Sequence, residues 1–383
     1  MVVDLDRRRV LRPSGKGLIP QIMQDTTSPP NILYLATTFP RLSETFLQRE
    51  VVYLRETKLH LDIRSLWGGQ SNFEDTQLQT SSIRNLPKAL KTIPTWIVRN
   101  PEAFQKVLGK ILNLRLPMVQ NWMENFWGFA WALQHADSFM RKPPDLVHAT
   151  WGTMPAAAAL ALKYLIGVPF SMEAHAYDVY KFGGDWLLDI KAMEAKFVRS
   201  STQSTLNELM SRRNYKNSGK YHLIRRGIQI KPLCPETKCL KNPLRIITVG
   251  RMVEKKNIAH QLDIYNKLQG ERFPFQAKVV GEGPLLQKLK EQAKRLGLNS
   301  QVQFTGSKTY TEVERLYRDS DVFLFSGVEA RNGDRDGLPN VIAEAMAHGL
   351  IVITTPIDGA CEAISDRNTG FVMPYHDVEA WVR

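Results

Sequence analysis

Apolar residues in this chain come in short solid blocks separated by stretches long enough to form a helix. The blocks read 31-NILYLATT-38, 59-LHLDIRSL-66, 145-DLVHAT-150, 169-PFSMEAH-175 and 220-KYHLIRRGI-228, then 244-LRIITVG-250, 275-FQAKVVG-281, 302-VQFTG-306, 321-DVFLFS-326 and 351-IVITTP-356. Several show little polar alternation, as strands buried on both faces of a parallel sheet must. Repeated strand-then-helix units predict an α/β fold with doubly wound sheets. Between the two sets, 229-QIKPLCPETKCLKNP-243 has three prolines, three lysines and no periodicity, the pattern of a linker. The expected organisation is a mobile tail over 1–29, a Rossmann-like domain over 30–230, a linker over 231–243 and a second Rossmann-like domain over 244–383, the two domains facing each other across a cleft.

One region breaks the alternation. Residues 82–142 carry nine Lys/Arg against three acids, interleaved with Trp96, Trp122, Trp127 and Trp131, and helical spacing runs from Glu102 to Met140. Cations among indoles suit an anionic membrane surface, where cations meet headgroups and tryptophans sit at the interface. The competing reading makes the tryptophans core and the lysines a solvated face.

Composition narrows the classes. With 383 residues, 43% apolar and 23% charged, the chain has material for two ordinary cores. Three cysteines, Cys234, Cys239 and Cys361, form neither a disulfide framework nor a metal-binding spacing, which fits a reducing compartment. The longest apolar run, Pro155 to Leu162, stops at Lys163, well short of the roughly 20 residues of a membrane span. Arg7 to Arg9 precede no apolar stretch of the kind a secretory signal needs. A net charge of +13 points to a polyanionic partner: nucleic acid, an anionic membrane surface or phosphate-bearing substrates.

Three loop motifs carry candidate chemistry. In 250-GRMVEKKN-257, Gly250 ends a strand and Arg251 and Lys256 can converge on a phosphate at the carboxyl edge of a sheet. An ordinary basic loop would look the same. In 279-VVGEGPLLQKL-289, Gly281 and Gly283 would let backbone approach a nucleotide, although a lone GxG is a weak signal. In 333-GDRDGLPNVIAEAMAHG-349, Pro339 suits the first helical position, so a helix is expected to start near Leu338, leaving Asp336 in the loop and Glu344 more than a turn inside. Eight residues of helix would rotate the two carboxylates ~80° apart and separate them by ~12 Å along the axis, too far for an acid/base pair. They fit two grips on one extended ligand, with the helix N-terminus aimed at its phosphates. The alternative is a solvated stripe of Asn340, Glu344 and His348 at i, i+4 and i+8.

The ordered set GR-x4-K, VGEGP and DGLPNVIAEAMA resembles the donor-binding domain of family-4 retaining glycosyltransferases with the GT-B fold. In the first half, 39-FPRLSETFLQRE-50, 145-DLVHATWG-152 and 171-SMEAHAYD-178 resemble the branch that builds bacterial exopolysaccharides and lipopolysaccharides. The resemblance spans about residues 30–375. It implies that Arg251 and Lys256 neutralise a leaving nucleoside diphosphate, that Glu344 holds ribose hydroxyls and that Asp336 holds the donor sugar. Gly337, Leu338 and Asn340 would offer backbone N–H groups to phosphate. His175 is similar to the family histidine that contacts the donor sugar near the reacting carbon, a lone histidine otherwise being more often structural. His148, Ser43, Glu44 and Thr45 would lie on the acceptor side.

The family usually has Glu where this chain has Asp336, one methylene shorter, a difference that bears on sugar identity. The implied partners are a nucleotide-sugar donor, a glycan or lipid-linked acceptor and an anionic membrane surface rather than nucleic acid. The protein would be cytoplasmic, peripheral on the inner face of the membrane. No metal is expected, the chain being read as lacking a DxD-like divalent-metal motif, so that protein cations do the work of Mg²⁺. The rival readings are a nucleotide-sugar epimerase of the same architecture and a catalytically degenerate sugar-nucleotide-binding subunit. Asp377 resembles an N-cap, but only six residues follow, too few for a stable helix. No stable helix is therefore expected after Asp377, and the final helix with which GT-B enzymes usually cross back onto the first domain is a separate segment expected to be lacking.

Overall fold

A computed structural model describes residues 2–3, 10–11, 28–41, 44–111, 119–212, 218–228 and 240–383. Most of the expected tail and linker lies outside them, as does Ser43. The chain forms two compact units, one of residues 1–174, 185–200 and 210–227, the other of residues 175–184, 201–209 and 228–383.

The first unit is built on a seven-stranded sheet. After a short antiparallel pair, β1 (Val2–Val3) with β2 (Val10–Leu11), come β3 (Asn31–Ala36), β4 (His60–Ser65), the hairpin β5 (Asn72–Phe73) and β6 (Thr76–Gln77), and β7 (Gln79–Thr80). Then follow β8 (Leu146–Ala149), β9 (Phe170–Glu173), β10 (Phe197–Ser200) and β11 (Tyr221–Leu223). The order across the main sheet is β11-β10-β9-β8-β3-β4-β7, every pairing parallel. Its helices are α1 (Thr45–Arg55), α2 (Leu86–Arg99), α3 (Pro101–Ile111), α4 (Val119–Arg141) and α5 (Met154–Ile166). Next in the chain come α6 (Ala176–Tyr180) of the second unit, α7 (Leu188–Glu194) and α8 (Gln203–Ser211). The strand β10 escaped the sequence reading because Arg199 and Ser200 interrupt its apolar run; parallel pairing to β9 and β11 makes it a strand.

Three of the insert's four tryptophans are core. Trp96, Trp127 and Trp131 are buried, and their indole N–H groups donate to Leu133 O (3.2 Å), Leu66 O (2.7 Å) and Ser81 Oγ (3.0 Å). A buried indole needs such an acceptor, so these three are not membrane-interface residues. Over the stretch of helical spacing from Glu102 to Met140 the described residues form α3 and α4, preceded by α2.

The second unit has a six-stranded, wholly parallel sheet: β12 (Leu244–Val249), β13 (Phe275–Val280), β14 (Val302–Gly306), β15 (Val322–Phe325), β16 (Ile351–Thr354) and β17 (Phe371–Val372). Across the sheet they run β14-β13-β12-β15-β16-β17. Helices α9 (Ile258–Gly270), α10 (Leu286–Arg295), α11 (Tyr310–Arg318), α12 (Asn340–Ala347), α13 (Asp358–Cys361) and α14 (Val378–Val382) complete it. The solid apolar strands are explained by burial on both faces. Ile246 and Leu324 pack into one cluster with Leu262 and Tyr265 of α9; Ile247, Phe323 and Phe325 pack into another with Ile342 and Ala345 of α12.

Against expectation, α14 does form. Asp377 caps it by accepting from Ala380 N (3.0 Å), and tertiary contacts supply what its length does not. Trp381 is buried edge-on against His260 of α9 and donates to Pro374 O (2.9 Å), while Glu379 pairs with Lys267 at 2.7 Å.

Candidate functional site

In the second unit the strand order reverses between β12 and β15, one connection running to β13 and β14 and the other to β16 and β17. Loops leaving neighbouring strands in opposite directions open a crevice at the carboxyl ends, which is where α/β sheets bind ligands. The loop after β12 holds Gly250, Arg251 and Lys256; the loop after β15 leads to Asp334, Asp336 and the start of α12.

A buried polar chain fixes the first loop. Thr248 Oγ1 donates to Gln261 Oε1 (2.7 Å), Gln261 Nε2 donates to Ser326 Oγ (2.9 Å), and Ser326 Oγ donates to the carbonyls of Lys256 (3.1 Å) and Asn257 (2.9 Å). Asn257 takes a left-handed φ of 48° to turn into α9. Lys256 is thereby aimed over the Phe325 ring, Nζ 4.8 Å from its centroid, and its ammonium meets Asp336 Oδ2 at 2.8 Å. Gly250 leaves room for that stem: a Cβ there would stand 3.3 Å from Lys256 Cε. Arg251 is exposed, and among the described residues its side chain has no ion pair or hydrogen bond.

Gly281 and Gly283 make close backbone contacts with the loop after β12. At Gly281 (φ +129°) a Cβ would fall 2.1 Å from Gly250 O, and at Gly283 (φ +157°) 2.6 Å from Met252 O. They let the loop after β13 pack directly on the Gly250–Met252 backbone, with Met252 N donating to Glu282 O (2.8 Å) and Leu285 N to Met252 O (3.1 Å). They thereby support the backbone on either side of Arg251.

Pro339 is the N-cap of α12, not its first helical residue, and the helix starts at Asn340. Asp336 remains in the loop and Glu344 inside the helix, as expected. Glu344 and His348 are buried, so the solvated stripe is excluded. Among the described residues, the N–H groups of Gly337, Leu338 and Asn340 have no acceptor, which leaves a helix start open to an anion. Burial alone would raise the Asp336 carboxyl, but Lys256 and then Lys255 outweigh it and hold it below the ordinary range. Burial lowers the Lys256 ammonium despite Asp336.

His175 belongs to this same unit. Its N–H donates to Asp178 Oδ2 (2.9 Å) at the start of α6. The following segment docks on the loop after β15: Phe182 N donates to Asn332 O (2.7 Å), and the Arg335 guanidinium lies 3.7 Å from the centroid of the Tyr180 ring. Gly337 faces Ala176, with 3.6 Å between a Cβ built on the glycine and the alanine Cβ, so His175 is one residue from the backbone that follows Asp336.

Two residues of this cluster were missed in sequence. Lys255 is buried, its Nζ 2.9 Å from Asp334 Oδ1 and 3.5 Å from Asp336 Oδ1. The signal lay in the KK doublet 255–256 and in 334-DRD-336, which does spell a DxD, contrary to the reading above. Its carboxylates face lysine ammoniums here.

The model of the family "Glycosyl transferases group 1" matches residues 235–383, less than half of the chain and nearly all of the second unit's main stretch. The amylovoran biosynthesis glycosyltransferase AmsK of Erwinia amylovora is 30% identical over 162 residues, 42% of this chain and 40% of that one. A relative of Escherichia coli named for colanic acid biosynthesis, WcaL, is 30% identical over the same shares. The chain matches 34% to 40% of the length of these first curated relatives. HepE of Anabaena, solved with UDP-glucose, superimposes with a TM-score of 0.65 at 15% identity, covering 92% of this chain and 88% of that one. The lipopolysaccharide outer core galactosyltransferase WaaB gives 0.60 at 12%, with the same coverage. These likenesses show the fold, GT-B: two parallel-sheet α/β domains. Within the stretch that matches this family model, Arg251, Lys256, Asp336, Gly337 and the start of α12 share the switch-point loops, and Gly281 and Gly283 pack against the first of them.

The acceptor-side candidates belong to the first unit. Thr45 opens α1 and Glu44 precedes it. His148 is a link in a charge network: Nδ1 lies 2.8 Å from Ser171 Oγ and Nε2 3.5 Å from Glu173 Oε1 and 4.0 Å from Glu50 Oε1. Arg199 bridges Glu50 (2.6 Å) and Glu173 (2.7 Å), and Arg226 stands 3.7 Å from Glu173. Glu50, His148 and Glu173 lie close enough to ligate a cation, but two guanidiniums already meet their charge.

Burial and then Glu173 raise the Glu50 carboxyl; Arg199 and His148 oppose this without prevailing. The folded unit thus binds a proton more readily than the unfolded chain, so this contribution is complete below the ordinary carboxyl range of ~4.3 and is lost as pH rises through the raised value. Glu50→Gln is expected to flatten that decline. Seven of the eight tryptophans lie in the first unit, so their fluorescence in unfolding series at several pH values reads it. An unchanged slope in the variant would refute the assignment.

Among the described residues, no helix is long and apolar enough to cross a membrane.

Proposed function

We propose that this protein is a retaining, metal-independent glycosyltransferase of the hexosyl type. It would move a sugar from a nucleotide-diphosphate donor to a glycan or lipid-linked acceptor in surface polysaccharide synthesis. The observation that carries the reading is the set of groups at the switch point of the stretch that matches the group 1 family model: exposed Arg251, Lys256, Asp336 and the open N–H groups before α12. Cations and helix-start amides stabilise the charge that develops on a departing diphosphate. In the proposed reaction the acceptor hydroxyl attacks on the face the diphosphate leaves. A phosphate oxygen takes its proton while Arg251 and Lys256 hold the leaving group; Asp336 and His175 hold the sugar and Glu344 the ribose. HepE, solved with UDP-glucose, supports a nucleotide sugar as the donor class.

A thermal-shift series with UDP-, GDP- and ADP-sugars tests the donor, since a ligand at a hundred times its dissociation constant stabilises by about 2.7 kcal/mol. Transfer is then followed with and without acceptor. Conversion of the donor with no acceptor present would favour an epimerase. In cells, Arg251→Ala with Glu344→Ala should abolish the glycan; an unchanged glycan would favour a degenerate binding subunit.

Peripheral binding to an anionic membrane is proposed on different residues from the tryptophans. On α2, Leu90, Ile97 and Val98 are exposed in the company of Lys88 and Lys91, apolar and basic groups suited to headgroups. Sedimentation with phosphatidylglycerol vesicles should be lost in Lys91→Glu/Val98→Glu, and retention by that variant would refute this surface.

A further inference from the structure

Lys255 and Lys256 face Asp334 and Asp336, two positive charges against two negative ones before any ligand arrives. Asp336 divides its oxygens between the lysines: Oδ2 is in contact with Lys256 at 2.8 Å, and Oδ1 stands 3.5 Å from Lys255, a looser approach. Lys255 is held where it is. Its carbonyl accepts from Val328 N (2.9 Å), its ammonium takes Asp334 Oδ1 at 2.9 Å, and its side chain is buried under the loop after β15.

A diphosphate that engages Lys256 competes with the Asp336 carboxylate for that ammonium and loosens their 2.8 Å pair. A carboxylate so enclosed and left without a cation is strongly unfavourable. We propose that Lys255 is a positioning residue that acts as the reserve cation for Asp336: when a diphosphate claims Lys256, the carboxylate transfers its ion pair to Lys255. The inference rests on the donor-site reading above and goes further, because it makes the resting Lys256–Asp336 pair a competitor of the donor. It also gives the short side chain of Asp336 a consequence, since the carboxylate is kept between the two ammoniums.

The test is a double-mutant cycle on the full chain, read by calorimetry with whichever of UDP, GDP and ADP the parent binds, at a temperature where every variant is folded. Asp336→Asn removes the competitor and should bind the diphosphate about three- to tenfold more tightly. Lys255→Met removes the reserve and should weaken binding about tenfold, whereas in the Asp336→Asn background the same change should cost less than about twofold. Equal losses in both backgrounds would mean that Lys255 only supports the loop, and would overturn the proposal. Should Lys255→Met not fold, Lys255→Gln takes its place in the cycle, and equal losses in both Asp336 backgrounds again overturn the proposal. A parent that binds none of the three overturns the donor-site reading itself, and this inference with it.

Discussion

Lys256→Met is expected to lower the rate of sugar transfer about 10²- to 10³-fold, equivalent to roughly 3–4 kcal/mol of transition-state stabilisation, while the protein remains folded. In the proposed transfer, charge develops on the departing diphosphate as the sugar bond breaks, and Lys256, its carbonyl fixed by the Thr248–Gln261–Ser326 chain, holds its ammonium 2.8 Å from Asp336 in the loop that leads to α12. Arg251 cannot replace it, being exposed and less constrained. Folding should suffer less, because Asp336 keeps Lys255 within 3.5 Å. The pH dependence follows from burial, which lowers the Lys256 ammonium below the ordinary lysine range. Donor binding should therefore weaken on the alkaline side earlier than an unperturbed lysine of pKa ~10.4 would allow. Initial rates of nucleotide release measured against pH check both statements; a variant within about threefold of the parent would remove Lys256 from the reaction.

Lys191→Met is expected to destabilise the first unit by about 3–5 kcal/mol, because it leaves a buried charge without its partner. For a domain of this size that corresponds to roughly 6–20 °C in unfolding midpoint. Lys191 and Asp185 are both fully buried, Nζ to Oδ2 3.0 Å, and the ammonium also donates to Gly152 O (2.7 Å) and Thr153 O (3.0 Å), just ahead of α5. Without it, Asp185 retains, among the described residues, the Asn125 amide (2.8 Å) and the Leu187 N–H (2.8 Å). Asp185→Asn in the same chain should recover much of the loss, since the orphaned charge, more than the lost attraction, is the main penalty. Thermal unfolding followed by tryptophan fluorescence measures both variants, and a fall of less than about 1 kcal/mol would show that the pair is dispensable.

The Lys191 pair was silent in sequence, where both partners are ordinary charged residues of a loop and a helix. The charge network of the first unit was only half visible. His148 was singled out, but Glu50, Glu173 and Arg199 come from three separate stretches and meet through parallel pairing of β9 with β10 and the packing of α1. Two further features were legible only in the fold. The glycines of VGEGP answer to a neighbouring loop, and the helix at the chain end draws its stability from Trp381 in the core.

What the sequence by itself determined is the alternation of strand and helix, the solid apolar strands, and the group 1 motifs with Asp336 before a helix and Glu344 within it. These follow from local rules: burial on two faces removes polar alternation, and proline marks where a helix starts. Only the tertiary structure decided the strand order that places β12 beside β15, and with it the meeting of Lys255 and Lys256 with Asp334 and Asp336 across some eighty residues of chain. Spacing along a chain specifies neighbours on one element. Which elements become neighbours is settled by packing and by the order of the sheet.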